Sequence, residues 1–115
     1  MKLFEAVQNS KEHWAISNGT SLKGYVQANY IDLVEAFGEP TEGDGYKIDA
    51  EWVIVGDDGT VATIYNWKNG YNYCGNSGMA MWDIRNWHIG GHSQAAVDLV
   101  YEALGLVEVR DREVA

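Results

Sequence analysis

The dipeptide Asp58-Gly59, set between two runs rich in β-branched and aromatic residues, most constrains the fold. Tyr46 to Val55 reads as one strand and Thr60 to Trp67 as its return, because Asp-Gly between such runs signals a two-residue type I′ hairpin turn. That turn dictates a register. Trp52 faces Tyr65, Ile54 faces Thr63 and Ala50 faces Trp67. On the other side Val53 meets Ile64, Glu51 meets Asn66 and Asp49 meets Lys68. Both faces carry apolar groups, which places the hairpin inside a sheet.

Other elements follow from punctuation and periodicity. Residues 2–9 suggest a short helix with Leu3, Phe4 and Val7 on one face. Residues 20–27 read as a strand with a bulge at Gly24. Asn29 to Phe37 reads as a helix, with Asn29 at the N-cap, Asp32 completing a capping-box-like pattern, Ile31, Leu33, Val34 and Phe37 as its buried stripe, and Gly38 and Pro40 ending it. Residues 39–45 form an acidic loop. Residues 69–78 read as a Gly/Asn/Tyr loop and Met79 to Ile89 as a strand broken by Gly90-Gly91. A last helix starts at His92 or Ser93, buries Val97, Val100, Tyr101 and Leu104, and stops at Gly105. Residues 106–115 suggest a short edge strand. The pattern predicts one α+β domain over 1–115: an antiparallel sheet of three to five strands with two or three helices, one sharing a face with the C-terminal helix.

The 115 residues suffice for one core without metal or disulfide support. Cys74 is the single cysteine, which excludes an intramolecular disulfide and suits a reducing compartment. Glu5 follows too closely on Met1 for a signal peptide, and no apolar run approaches a membrane span. The expected location is the cytoplasm. Charge is unevenly spread. Residues 32–58 carry nine acids against one base, Lys47, a net of −8 within a chain total of −9. Such a field repels nucleic acid and membranes and attracts proteins with basic grooves.

Catalytic constellations are weak by comparison. His88 and His92 are four apart, but Gly90-Gly91 between them denies the single helix face that metal binding at this spacing requires, even with Asp83 or Cys74 added. Cys74 with either histidine makes an unspecific nucleophilic set. Asp49, Glu51 and Lys68 suggest a nuclease arrangement, yet the register makes Asp49 and Lys68 a cross-strand ion pair. Gly90-Gly91 can present N–H groups to an anion, without a basic neighbour. Four aromatics interleaved with amides between Tyr65 and Tyr73 suit a partner protein or a nucleobase. No catalytic residue, metal or cofactor is expected.

Gly43-Asp44-Gly45-Tyr46-Lys47, Ala50-Glu51-Trp52, the run from Asp58 to Lys68, and Trp87-His88-Ile89-Gly90-Gly91 together resemble a group of small, mostly uncharacterised bacteriophage proteins, over roughly residues 20–104. The resemblance implies a host-defence inhibitor of the anti-CRISPR or anti-restriction type, and it carries over no functional residue. The expected function is non-enzymatic binding of a host protein or ribonucleoprotein with a basic groove, without direct nucleic-acid contact. Glu35, Glu39, Glu42, Asp44, Asp49, Glu51, Asp57 and Asp58 are expected to gather into one acidic surface, with Tyr71 and Tyr73 as anchors. The alternatives are a nucleotide-binding or sponge protein and a small hydrolase using His88, His92 and Asp83.

Overall fold

The computed structural model describes residues 4–7, 19–41 and 47–105. Strands β1 (Phe4–Val7), β2 (Ser21–Gln27), β3 (Glu51–Gly56), β4 (Val61–Tyr65) and β5 (Asn86–Gly91) form one sheet in the order β1-β3-β4-β5-β2. Every neighbouring pair is antiparallel. Helix α1 (Tyr30–Phe37) follows β2, the four-residue α2 (Tyr71–Cys74) lies between β4 and β5, and α3 (Ala95–Leu104) follows β5. The architecture is α+β, as the pattern predicts. No helix among the described residues is long and apolar enough to cross a membrane.

The hairpin forms with its register displaced by one residue. Trp52 pairs with Ile64, Ile54 with Ala62 and Glu51 with Tyr65. The turn explains the shift. A type I′ turn needs positive φ at both central residues, but here only Gly59 has it, at 87°. Asp57, Asp58 and Gly59 instead make a three-residue connection, with Gly59 N–H donating to the Gly56 carbonyl (3.0 Å) and Gly56 N–H to the Thr60 carbonyl (2.8 Å). The Asp58 carboxylate accepts from Thr60 N–H at 3.0 Å, fixing the bend. Because side chains alternate along a strand, one step sends the whole return strand to its other face. Trp52, Ile54, Ala62 and Ile64 now share the buried face, and Tyr65 turns away from it.

That buried face receives both longer helices. Trp52 and Trp87, each almost fully buried, meet edge to face with centroids 5.3 Å apart. Their indole N–H groups bracket α1. Trp87 Nε1 donates to the Ala28 carbonyl before the helix (3.1 Å), and Trp52 Nε1 donates to the Gly38 carbonyl after it (2.7 Å). Leu33 and Phe37 point into the core from α1; Ala96, Val97, Leu99, Val100 and Tyr101 do so from α3. Tyr101 Oη donates to the Tyr25 carbonyl at 2.7 Å, tying α3 to the edge strand β2.

Several local expectations need correction. Residues 4–7 are a strand, because Phe4–Val7 finds open backbone partners along β3 and Phe4 packs on Phe37. Asn29 makes no side-chain cap, since its Oδ1 accepts from Arg85 Nη1 at 2.6 Å, so the capping box does not form. Residues 71–77 and 81–83 take up short helical turns, which leaves only Asn86–Gly91 of the expected strand beginning at Met79. Gly90 and Gly91 do not break that strand. They let it pass close beneath its neighbours, since a β-carbon would strike Thr63 Oγ1 at the first and the Ala96 methyl at the second. The bulge at Gly24 is present. Residues 42–46, with the body of the acidic loop, and the expected edge strand of 106–115 lie outside the described residues.

The Gly91 contact is testable. Gly91→Ala forces α3 off β5 and costs about 1–3 kcal/mol of stability by overpacking. Urea unfolding should show a lower midpoint at unchanged slope. A midpoint equal to that of the parent chain would show that α3 is not seated on β5 at this glycine.

Candidate functional site

Beyond β4 the chain leaves the sheet through a polar knot. Asn66 is fully buried in a run that otherwise alternates apolar residues. Its Oδ1 accepts from Asp49 N–H (2.7 Å) and Ala50 N–H (3.1 Å). Its Nδ2 donates to Asp49 Oδ1 and Asn69 Oδ1, both at 3.0 Å. Both amide donors and both acceptor positions are thus used. Asp49 Oδ2 accepts from Asn72 N–H at 3.2 Å, so the carboxylate holds the loop to the segment before β3. The expected Asp49–Lys68 ion pair is absent, because the shifted register and this knot direct the carboxylate inward. Asn66→Ala would strip two buried N–H groups of their acceptor and cost about 3 kcal/mol, measurable by urea unfolding.

The knot presents rings and cations. Lys68, held at φ 60° with its N–H on the Lys47 carbonyl, places its ammonium 5.7 Å from the Trp67 centroid and 5.5 Å from that of Tyr73. The Lys47 ammonium lies 5.4 Å from Trp67. Trp67, Tyr71 and Tyr73 are each 40% exposed or more. From Trp67 a chain of rings runs across the sheet face opposite the helices. Trp67 meets Tyr65 at 6.3 Å, Tyr65 meets His88 at 5.4 Å, and His88 meets Tyr25 at 4.9 Å. Register produces this row, since Tyr65, His88 and Tyr25 are direct cross-strand partners. Burial raises the Tyr65 phenol above its ordinary value, helped by Glu51 and then Tyr25.

The expected acidic residues that are described lie in several separate places. Asp57 and Asp58 occupy the β3–β4 tip, while Glu51 begins β3 at its other end, about 17 Å away along the strand. Asp49 is consumed by the knot. Glu42 and Asp44 lie outside the described residues. Asp32 and Glu35 line a surface groove of about 350 Å³ between α1 and α3, together with Gln27, Ala28, Ala36, Ala103 and Leu104. Glu39, just past α1, lies near enough to Tyr30 to add to the burial that raises its phenol. Nothing in the sequence marked this groove, because α1 and α3 meet only in three dimensions. Asn66 was legible as an amide inside an apolar strand.

The histidine, thiol and nuclease constellations come apart. His88 lies on the exposed sheet face and His92 beyond the end of β5, about 13 Å along the extended chain. The Cys74 thiol donates to the Lys68 carbonyl at 3.2 Å and not to a histidine. Lys68 faces rings instead of Asp49. Among the described residues, no three His, Cys, Asp or Glu side chains are grouped to hold a metal. The chain shows no significant match to a known protein family, a curated protein or a solved structure.

His88 generates a pH dependence. Burial holds its imidazole below the ordinary histidine value. The unfolded chain, with histidine near about 6.5, therefore takes up the proton more readily than the folded one. This contribution is fully present above the unfolded-state value and is lost as pH falls from there through the folded-state value. His88→Gln should flatten the fall in thermal stability between about pH 7 and pH 5. An unchanged slope would remove His88 as its source.

Proposed function

We propose that this chain is a non-enzymatic binding protein that captures a basic segment of a partner, such as the groove of a nucleic-acid-handling host protein, in the manner of a phage inhibitor of host defence. The observation that carries the reading is the groove between α1 and α3. Ala28, Ala36, Ala103 and Leu104 give it a small apolar floor within a mostly polar lining, and Asp32 and Glu35 are both exposed and neither paired with a base among the described residues. Arginine and lysine have the complementary shape: an apolar stem to lie along the floor and a cation to reach the carboxylates.

Magnitude decides what each part contributes. Exposed ion pairs supply only about 0–1 kcal/mol each. The acids therefore act mainly by steering encounter, with an on-rate that falls as salt rises. Holding the complex falls to buried anchors. Trp82, 69% exposed in the turn packed beside α1, and Ile31, 57% exposed on α1 itself, are the large apolar side chains placed to serve. Asp57 and Asp58 add to the overall field from the far end of the sheet without lining the groove.

A fluorescent arginine-rich peptide separates groove from field. Asp32→Lys with Glu35→Lys should reduce its binding by about tenfold or more at low salt. Asp57→Lys with Asp58→Lys makes the same change of net charge and should leave most of the affinity. Equal losses in the two double variants would mean that total charge alone attracts the peptide, and the groove reading would fail.

A further inference from the structure

The row of rings on the sheet face opposite the helices takes its spacing from the strands. Tyr25 on β2 and Tyr65 on β4 are both cross-strand partners of His88, on β5 between them. Their ring centroids lie 4.9 and 5.4 Å from the imidazole, and Trp67 extends the row 6.3 Å beyond Tyr65. Side chains placed two strands apart on one face of a sheet stand about 9–10 Å from each other. Successive ring planes are inclined at 87°, 62° and 78°, so the row is corrugated. Its two ends face solvent, with Tyr25 59% exposed and Trp67 40%, while Tyr65 and His88 are half-buried. Every ring in the row carries an O–H or an N–H.

We propose that this row docks a proline-rich segment of a partner protein, lying across the strands in the polyproline II conformation, with Glu51 taking a basic residue beside the prolines. Polyproline II completes a turn in three residues and about 9 Å, so prolines on one face of successive turns recur at the spacing of Tyr25 and Tyr65. Its ridged surface fits rings that are inclined to one another. A proline tract has carbonyl acceptors, no N–H and no internal hydrogen bonds, so it needs a surface of donors, which these side chains carry. It also arrives already ordered, which lowers the entropic cost of binding through few contacts. Charge agrees. The chain's acids outnumber its bases by nine, a balance that repels phosphates, leaves a neutral tract unopposed and draws a basic flank. Glu51 is paired with Tyr65 across β3 and β4, and its charge is felt at that phenol. A carboxylate has room for more than one donor. This surface lies across the sheet from the groove between α1 and α3 and stands without it.

Fluorescence anisotropy of a labelled decaproline peptide tests this. The peptide should bind saturably at micromolar to millimolar concentration, and a Gly-Ser peptide of the same length should not. Tyr25 lies outside the core, so Tyr25→Ala keeps the fold. It should weaken decaproline by roughly fivefold or more, and Tyr25→Phe, which keeps the ring and loses the donor, should fall between it and the parent chain. An arginine added to one end of the peptide should tighten binding to the parent chain but not to Glu51→Gln. Asp32→Lys with Glu35→Lys should leave decaproline binding intact, so this surface and the groove fail separately. Absence of decaproline binding at millimolar concentration, equal binding of the Gly-Ser peptide, full affinity in Tyr25→Ala, an undiminished arginine gain in Glu51→Gln, or tighter binding of a neutral oligosaccharide such as cellohexaose would each overturn the assignment.

Discussion

Two indole N–H groups hold this fold in its arrangement. Trp87 and Trp52 sit on β5 and β3, with β4 between them, and each reaches up to a carbonyl at one end of α1. Helix ends leave carbonyls and amides without partners, and a buried end requires a donor or acceptor from elsewhere. Here the Trp52 indole supplies a donor at the C-terminal end, to the Gly38 carbonyl, while the Trp87 indole holds the Ala28 carbonyl just ahead of the helix. The same rings form the floor of the core, so polar satisfaction and apolar burial fix α1 through the same atoms. The direction of α1 then determines where its outward residues, Asp32 and Glu35, meet α3.

The fold class was readable because it depends on local signals. The Gly24 bulge, the helix from Tyr30, the C-terminal helix and the hairpin all carry their own punctuation. What was not readable depended on choices between local solutions. Asp-Gly supports a two-residue turn and also the last two positions of a three-residue one, and the second places four apolar side chains together on the core face. The strand at Phe4–Val7 has a helical pattern and becomes a strand only because β3 offers an unpaired edge. Tertiary context overrides weak propensity at such places.

Charge shows the same limit. A count along the chain locates the acids but not their destinations. Asp49 serves a buried amide, Asp58 its own turn, and Asp32 and Glu35 a groove, while the Lys47 and Lys68 ammonium groups both lie over a tryptophan. The molecule therefore has an acid-rimmed groove on its helical side and a cation-bearing aromatic cluster on the loop beyond β4. Sequence proximity suggested one surface; among the described acids, the sheet sets Asp57 and Asp58 apart from Asp32 and Glu35.

The strand order has a consequence for how the protein is made. β2 is made well before β5, yet β5, some sixty residues later, is its hydrogen-bonded neighbour among the described strands. Until residues 86–91 emerge, Leu22, Tyr25 and Val26 lack the β5 ladder that they join. Among the described strands, the sheet therefore closes last where β5 meets the much earlier β2. Contacts so distant in sequence slow folding and prolong exposure of apolar strands. Lys23, in the middle of that waiting strand, places a charge where an early mispairing with another nascent chain would otherwise find an open edge.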